Sequence, residues 1–368
     1  MSRVVELARE LVRIPSVNPD GDATGSGCGE AEMAGFLQGW LTARGAEAAL
    51  HEVLPGRPNV VARFPTDKPG KPRLLLAPHT DTVSVEGMTI PPFEGRILDG
   101  RLYGRGASDT KGPMAAMLAA LDSLGSEVER LPWEIWFAGL MGEETGQQGS
   151  KALAECECFD FVVVGEPTGL EVVHAHKGSH RWKLHVPGKA AHSSTPEAGD
   201  NAIEKAIRAV AWIQREFQAS ARPSPILGHP TSSLGVMRGG TRVNIVPEHC
   251  IVELDIRTVP EFDSSALLAA FRDAWPEVKI EETLALPLHT SADHPVIQHF
   301  VSLGARRAVA PWFCDAASFS ARGMPAVAIG PGSIAQAHTA DEFIPIADLE
   351  AGANFFERWL RSLAPLLP

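Results

Sequence analysis

The stretch Trp133-Glu134-Ile135-Trp136-Phe137-Ala138-Gly139-Leu140-Met141-Gly142-Glu143-Glu144-Thr145-Gly146 decides how the rest of this chain is read. An apolar run ends in two adjacent carboxylates set between glycines. Near-continuous apolar sequence is what a strand buried on both faces of a parallel sheet requires. The end of such a strand is where open α/β sheets place their ligands. Two neighbouring carboxylates repel each other unless a positive charge holds them, so the stretch asks for a cation. The plain alternative is a solvated acidic loop, because acids are seldom buried without a partner.

Other segments repeat the pattern. Arg73-Leu74-Leu75-Leu76-Ala77-Pro78-His79-Thr80-Asp81-Thr82 is apolar and ends in His-x-Asp. In an extended chain residues i and i+2 point the same way, so His79 and Asp81 can address one site. A carboxylate beside a histidine is also the usual support of a metal-bound imidazole. Phe161-Val162-Val163-Val164-Gly165 runs into Glu166, and Pro325-Ala326-Val327-Ala328-Ile329-Gly330 leads on to His338. The glycine-rich segment Gly104-Arg105-Gly106-Ala107-Ser108-Asp109 lacks the spacing of a phosphate-binding loop. Its Asp109 precedes a helix expected over 114–124, where backbone dipoles favour a carboxylate.

Parallel strands bring their C-terminal ends to one edge of the sheet. Two histidines and four or five carboxylates then face one cleft, a concentration of negative charge that is implausible without metal. Two divalent ions balance it. Nitrogen and oxygen ligands without thiolate suit zinc, cobalt or manganese in a reactive site better than a structural zinc cluster. Each ion takes one histidine and one terminal carboxylate, a third carboxylate bridges, and a position stays open for water. The spacing therefore points to a metal-dependent hydrolase.

Around this constellation the chain reads as an α/β protein. At 368 residues it is too long for one average domain. Helices are expected over 4–12, 30–43 and 346–363, strands over 48–53 and 59–64, and a hairpin over 96–103 with Asp99-Gly100 at its turn. Between 177 and 290 the order becomes β-α-β-β-α-β, the split βαβ unit of ferredoxin-like domains. Its helices lie at 201–217 and 264–274. The expected organisation is a discontinuous, mainly parallel-sheet catalytic domain over 1–176 and 291–368, with an inserted α+β domain over 177–290.

Composition limits the function classes. The net charge of −12 argues against nucleic acid, which needs a basic face. No apolar run approaches the ~20 residues of a membrane span. The N-terminus places Arg3, Glu6, Arg9, Glu10 and Arg13 among aliphatics at helical spacing, which is not a signal peptide. A cytoplasmic protein is expected, with its five sparse cysteines reduced. Cys156 and Cys158 are too few for a structural zinc site, and Cys28 reads as an inert, partly buried thiol. His51, His229 and His299 read as ordinary surface or core residues.

The motifs resemble those of the two-domain dinuclear zinc deacylases and exopeptidases, a family that includes acetylornithine deacetylase, succinyl-diaminopimelate desuccinylase, aminoacylase and glutamate carboxypeptidase. The matching segments are His79-Thr80-Asp81-Thr82-Val83, Gly104 to Gly112, Glu143-Glu144-Thr145-Gly146, Gly165-Glu166-Pro167-Thr168 and Ala337-His338, in family order. The resemblance implies that His79 and Glu166 hold one zinc, that Glu144 and His338 hold the other, and that Asp109 bridges them ahead of a cis peptide to Thr110. It implies that Asp81 orients His79 and that Glu143 is the general base. In the inserted lid and dimerisation domain, Gly188-Lys189-Ala190-Ala191-His192-Ser193-Ser194 resembles the motif whose histidine reaches the partner subunit's site and polarises the scissile carbonyl. A homodimer is thus expected. The resemblance implies that Lys177, Asn244, Arg257 and Gly332 bind the substrate. A guanidinium grips a carboxylate bidentately, although Arg257 also reads as half of a strand salt bridge.

Within the family, Ala175-His176-Lys177-Gly178, Cys314-Asp315-Ala316-Ala317-Ser318-Phe319 and the segment from Gly330 to His338 lean toward acetylornithine deacetylase. The expected activity is hydrolysis of N-acyl-L-amino acids, N-acetyl-L-ornithine first among them. Desuccinylase and dipeptide or glutamate exopeptidase activity are the alternatives, and a catalytically inactive metal-binding homologue is the alternative of another class.

Overall fold

Val60, Leu74, Leu75, Leu76, Phe137, Val162, Val163 and Val164 have no exposed surface, as a sheet covered on both faces demands. In the computed structural model, which describes residues 1–21 and 29–365, these residues lie on adjacent strands. Cys28 lies outside the described residues. The first six strands across the nine-stranded sheet are, in order, Glu47–Leu54, Arg57–Arg63, Glu134–Gly139, Arg73–Pro78, Phe161–Gly165, Ala326–Ala328. The last four of these six run parallel to one another, and the first two form an antiparallel ribbon at the edge. The architecture is α/β with a mainly parallel central sheet.

One face of this sheet is covered by Arg3–Arg13, Lys111–Leu124 and Ile346–Arg361, which pack on one another. Met114, Met117, Leu118 and Leu121 meet Leu11, Phe356, Trp359 and Leu360 in a continuous core. Phe300 stacks on Trp359 with ring centroids 4.4 Å apart. A small sheet of Arg96–Leu98, Arg101–Tyr103 and Phe343–Pro345 stands beside it. Its Asp99-Gly100 turn has φ of 50° and 74°, the two positive values of a type I′ turn. Asp and Gly tolerate them best.

The chain divides into two compact units. The first comprises Met1–His174, His289–Ala308 and Cys314–Pro368, and the second Ala175–Leu288 and Val309–Phe313. The second is a four-stranded antiparallel sheet in the order Thr231–Gly239, His249–Thr258, Gly178–Pro187, Lys279–Ala285. Its two helices, Ala202–Ser220 and Ser264–Ala274, lie in β-α-β-β-α-β order. Strand His249–Thr258 alternates buried and part-exposed residues along its length. Its buried set, Cys250, Val252, Leu254 and Ile256, meets Ala206, Ala209, Ile213, Leu268 and Phe271 of the helices. Asn201 and Asp263 cap the two helices, each accepting two backbone N–H groups.

The inserted unit differs from the expected bounds of 177–290 by taking in Val309–Phe313. Linear order hid this return. Lys177 N donates to Ala310 O, Trp312 lies against His176, and Arg257 faces the ring of Phe313. Cys156 and Cys158 are exposed, Cys250 and Cys314 are buried, and none of the four is in a disulfide. No helix among the described residues is long and apolar enough to cross a membrane.

Arg57 makes a bidentate pair with Glu30, at 2.6 and 2.9 Å, inside the first unit. Removing one partner of a buried pair strands the other charge. Arg57→Met is expected to lower unfolding free energy by about 3–5 kcal/mol, read as a shift in the denaturant midpoint of the full chain. An unchanged midpoint would mean that Glu30 is compensated elsewhere.

Candidate metal centre

Strands Arg73–Pro78, Glu134–Gly139 and Phe161–Gly165 are neighbours and parallel, so their C-terminal ends release His79, Glu143-Glu144 and Glu166 at one edge. The alignment continues past the strands. His79 bridges Leu140 in parallel, and Thr80 N donates to Leu140 O at 2.7 Å. The apolar runs make the strands, and the register then carries the polar residues to one place.

His79 is 1% exposed. Its Nδ1 donates to the backbone carbonyl of Asp81 at 3.0 Å, which leaves the Nε2 lone pair available to an ion. Nε2 lies 3.0 Å from Asp109 Oδ1. A lone pair facing a carboxylate oxygen needs a proton or a metal between them. Burial lowers the affinity of His79 for a proton, yet Asp109 and Asp81 outweigh it and hold the pKa well above the usual value.

The Asp81 carboxylate stands 3.4 Å from His79 Nδ1. It accepts Asn18 Nδ2 at 2.7 Å and the backbone N–H groups of Glu143 and Glu144, each at 3.1 Å. So it props the His79 strand end against the acidic pair, a wider job than facing the imidazole. Burial opposes its charge, but His79 and these donors keep its pKa below the usual value.

Glu143–Thr145 is a turn of 3₁₀-helix, entered through Gly142 at φ 73°. It is not the extended segment that would send successive side chains to opposite faces. At three residues per turn, neighbours still diverge by roughly 120°. Glu144 reaches His338 Nε2, with its two oxygens 3.2 and 3.1 Å away. Glu143 is 8% exposed, and its pKa is pushed well up, first by burial. The charge of His79 opposes that rise, and those of Glu166, Asp315 and Glu144 add to it.

Asp109 sits between the two histidines. Its Oδ2 is 3.4 Å from His338 Nε2, while Oδ1 faces His79. The peptide bond from Asp109 to Thr110 is cis. His338 lies on the loop after the Ile334–Gln336 turn, not at a strand end, with φ 63°. Its side chain is 51% exposed, which makes it the open side of the cluster. Its pKa is raised to about 10, first by the hydrogen bond to Asp109 and then by that to Glu144.

Glu166 is buried, and its Oε1 has no hydrogen-bond partner among the described residues. Burial pushes its pKa well up, and the charge of Asp109 adds to this. An orphaned, buried carboxylate oxygen near other carboxylates has the chemistry to accept a cation. The donor set of two imidazoles and several carboxylates fits a divalent metal. Among the described residues, His79, Asp109 and Glu144 offer ligand atoms within 4.8 Å of one another.

Three residues here went unread in the sequence. Asn18 donates to Asp81 and to Thr145 Oγ1. Asp315, also buried, accepts Ser150 Oγ, and burial lifts its pKa to about 7. Glu342 carries the backbone of the Asp109 loop. Asn18-Pro19 and Asp341-Glu342 look like ordinary turn and surface sequence. Only Cys314-Asp315 stood in a motif singled out beforehand.

The other expected site residues divide between the units. Gly332 lies in the first, at φ 88°, against Ser108 and Ile344. Lys177, His192, Asn244 and Arg257 lie in the second. Lys177 Nζ donates to His229 O at 2.6 Å. Asn244 is exposed and accepts Ser193 N through its carbonyl. His192 is exposed, with Nδ1 2.8 Å from Ser194 Oγ. Arg257 pairs with Asp255 on its own strand at 3.0 Å.

The model of Peptidase family M20/M25/M40 matches residues 75–362. The chain belongs to this family. The acetylornithine deacetylase of Proteus mirabilis is 31% identical over 366 residues, covering 94% of this chain and 93% of that protein. The M20 family metallo-carboxypeptidase of Sulfolobus solfataricus superimposes with a TM-score of 0.81 at 20% identity, covering 98% of this chain and 99% of that one. A dinuclear metal-binding peptidase of Bacillus subtilis gives a TM-score of 0.64 at 16% identity, covering 97% and 96%. The chain is a metal-dependent hydrolase acting on amides.

Proposed function

We propose that this hydrolase removes the acyl group from N-acyl-L-amino acids, with N-acetyl-L-ornithine the leading substrate, at a centre of two zinc ions. Asp109 carries the reading: one carboxylate turns one oxygen to His79, at 3.0 Å, and the other to His338, at 3.4 Å. A carboxylate placed between two imidazoles in this way could serve two ions. His79 and Glu166 would hold one, Glu144 and His338 the other, and cobalt or manganese would substitute. Zinc supplies a bound water whose pKa falls toward ~7 and a Lewis acid for the amide carbonyl.

Glu143 is the general base. Buried on the turn that also carries Glu144, it would take a proton from the attacking water and return it to the departing amine. Asp81 keeps His79 oriented and the Glu143 turn in register. His192, exposed on its loop, serves the partner subunit's site and polarises the scissile carbonyl. Lys177, Asn244, Arg257 and Gly332 receive the substrate, Arg257 exchanging Asp255 for the substrate carboxylate. On this reading the first unit is the catalytic domain, and the second, Ala175–Leu288 with Val309–Phe313, is the lid and dimerisation domain.

The relatives named acetylornithine deacetylase favour that substrate, and the reading carries with it a place in arginine biosynthesis in the cytoplasm. Similarity to a metallo-carboxypeptidase favours the exopeptidase alternative of the same site. Acetylornithine, succinyl-diaminopimelate and a dipeptide assayed side by side separate them: acetylornithine is expected to give the highest kcat/KM, and preference for either other substrate would reassign the pocket.

Glu143→Gln is expected to retain bound metal and lose on the order of 10²–10⁴ in kcat, the usual worth of a general base. Chelation should abolish wild-type turnover, and added zinc or cobalt should restore it. A wild-type protein that binds no metal and stays inactive after such addition would make this an inactive homologue. Light scattering at assay concentration is expected to give a dimer, and an active monomer would remove the shared role of His192.

A further inference from the structure

Glu342 is a buried carboxylate, 1% exposed, that no step above uses. Four N–H groups converge on it. Oε2 accepts Arg105 Nη1 at 2.8 Å and Gly106 N at 2.9 Å, and Oε1 accepts Ser108 N at 2.9 Å and Asp109 N at 3.0 Å. Three of these donors are successive parts of the loop that ends in Asp109. The fourth, Arg105, also donates to Thr339 O at 3.3 Å and to Ser84 O at 3.1 Å. The backbone of Glu342 joins in, its carbonyl accepting Gly104 N at 3.0 Å.

Glu342 lies four residues after His338, and Phe343 directly after it pairs with Tyr103. The same side chain therefore ties the loop bearing His338 to the loop bearing Asp109. His338 occupies the left-handed region at φ 63°, costly for a residue with a side chain, so its loop needs outside support. Asp109 and His338 face each other across 3.4 Å. Each is delivered by an irregular segment, whereas the parallel sheet holds His79 and Glu166 in place.

We infer that Glu342 is a positioning residue of the metal centre: its carboxylate, by binding Arg105 and the backbone of residues 106–109, sets the separation of Asp109 and His338 and so the affinity of the site for its second ion. The inference rests on the dinuclear reading given above. A carboxylate suits the task because it offers acceptors only, and each of its oxygens can take two donors. An amide of the same shape would turn an NH₂ group against two of these N–H donors.

The test compares wild type, Glu342→Gln and Glu342→Asp as full-length proteins. Zinc and cobalt affinities are read by competition with a chromophoric chelator, alongside cobalt d–d absorption, circular dichroism and melting of the metal-free forms. Glu342→Gln is expected to weaken the second metal equivalent on the order of 10–100-fold, shift the cobalt bands, and lower kcat with little change in KM. Glu342→Asp keeps the charge but withdraws it by one methylene, and is expected to fall between. Either variant, folded and binding both equivalents within twofold of wild type, would overturn the inference, and if Glu342→Gln does not fold, Glu342→Asp decides. A wild type that binds no second equivalent would overturn the dinuclear reading, and this inference with it.

Discussion

The side chains of Asp109, Glu143, Glu144 and Glu166 are withdrawn from solvent at one edge of a parallel sheet, and the cost of desolvating that much negative charge is the constraint on which the rest depends. A carboxylate removed from water must gain hydrogen bonds, a countercharge or a proton. The four divide these options. Asp109 lies between two imidazoles and is held as the anion, its pKa below the usual value despite its burial. Glu143 and Glu166 are driven the other way, toward protonation. A cluster so divided holds its charges together when a cation enters it, and a family of metal-dependent amide hydrolases supplies the reason for having one.

Several nearby features follow from keeping these acids in place. Asp81 spends its carboxylate on Asn18 and on the backbone of the Glu143–Thr145 turn. The Thr110 hydroxyl donates to Gly165 O at 2.5 Å, joining the Asp109 loop to the strand that ends in Glu166. Lys111 is buried, its Nζ donates to Ile14 O at 2.7 Å, and burial lowers its pKa to about 7. Close approach is needed as well. A Cβ on Gly106 would come within 2.8 Å of Thr82 and 3.0 Å of Lys111, and Gly106 also needs φ 82°. The residues facing an ion are thus a minority of those that the site constrains.

Much of the fold was legible because periodicity reports burial directly. The apolar runs at 74–76, 135–138 and 161–164 emerged as adjacent parallel strands, and the β-α-β-β-α-β order as a four-stranded antiparallel sheet with two helices. Asp99-Gly100 marked its turn because few residues tolerate two positive φ values. The misreadings share one cause. Val309–Phe313 joins the inserted unit by long-range contacts that no local pattern carries. The tight winding of the Glu143-Glu144 turn has no local mark, because its N–H groups are held by Asp81, about sixty residues away. Glu342 resembles any surface acid until the four N–H groups around it are seen.

The sequence by itself determined the strand and helix order, the two-unit plan and the chemical types delivered past each strand, because hydrophobic spacing and backbone preference act over a few residues. Only the tertiary structure decided which oxygen of Asp109 faces which histidine, that Asp81 serves the acidic turn as well as His79, and that Glu342 gathers the Asp109 loop. Those are matters of tenths of an ångström between segments up to some two hundred residues apart, fixed by register and packing that no short stretch of chain contains. Thus Glu143 and Glu144, neighbours on one turn, acquired different surroundings: one faces His338, and the other is buried among carboxylates that burial has already pressed toward protonation.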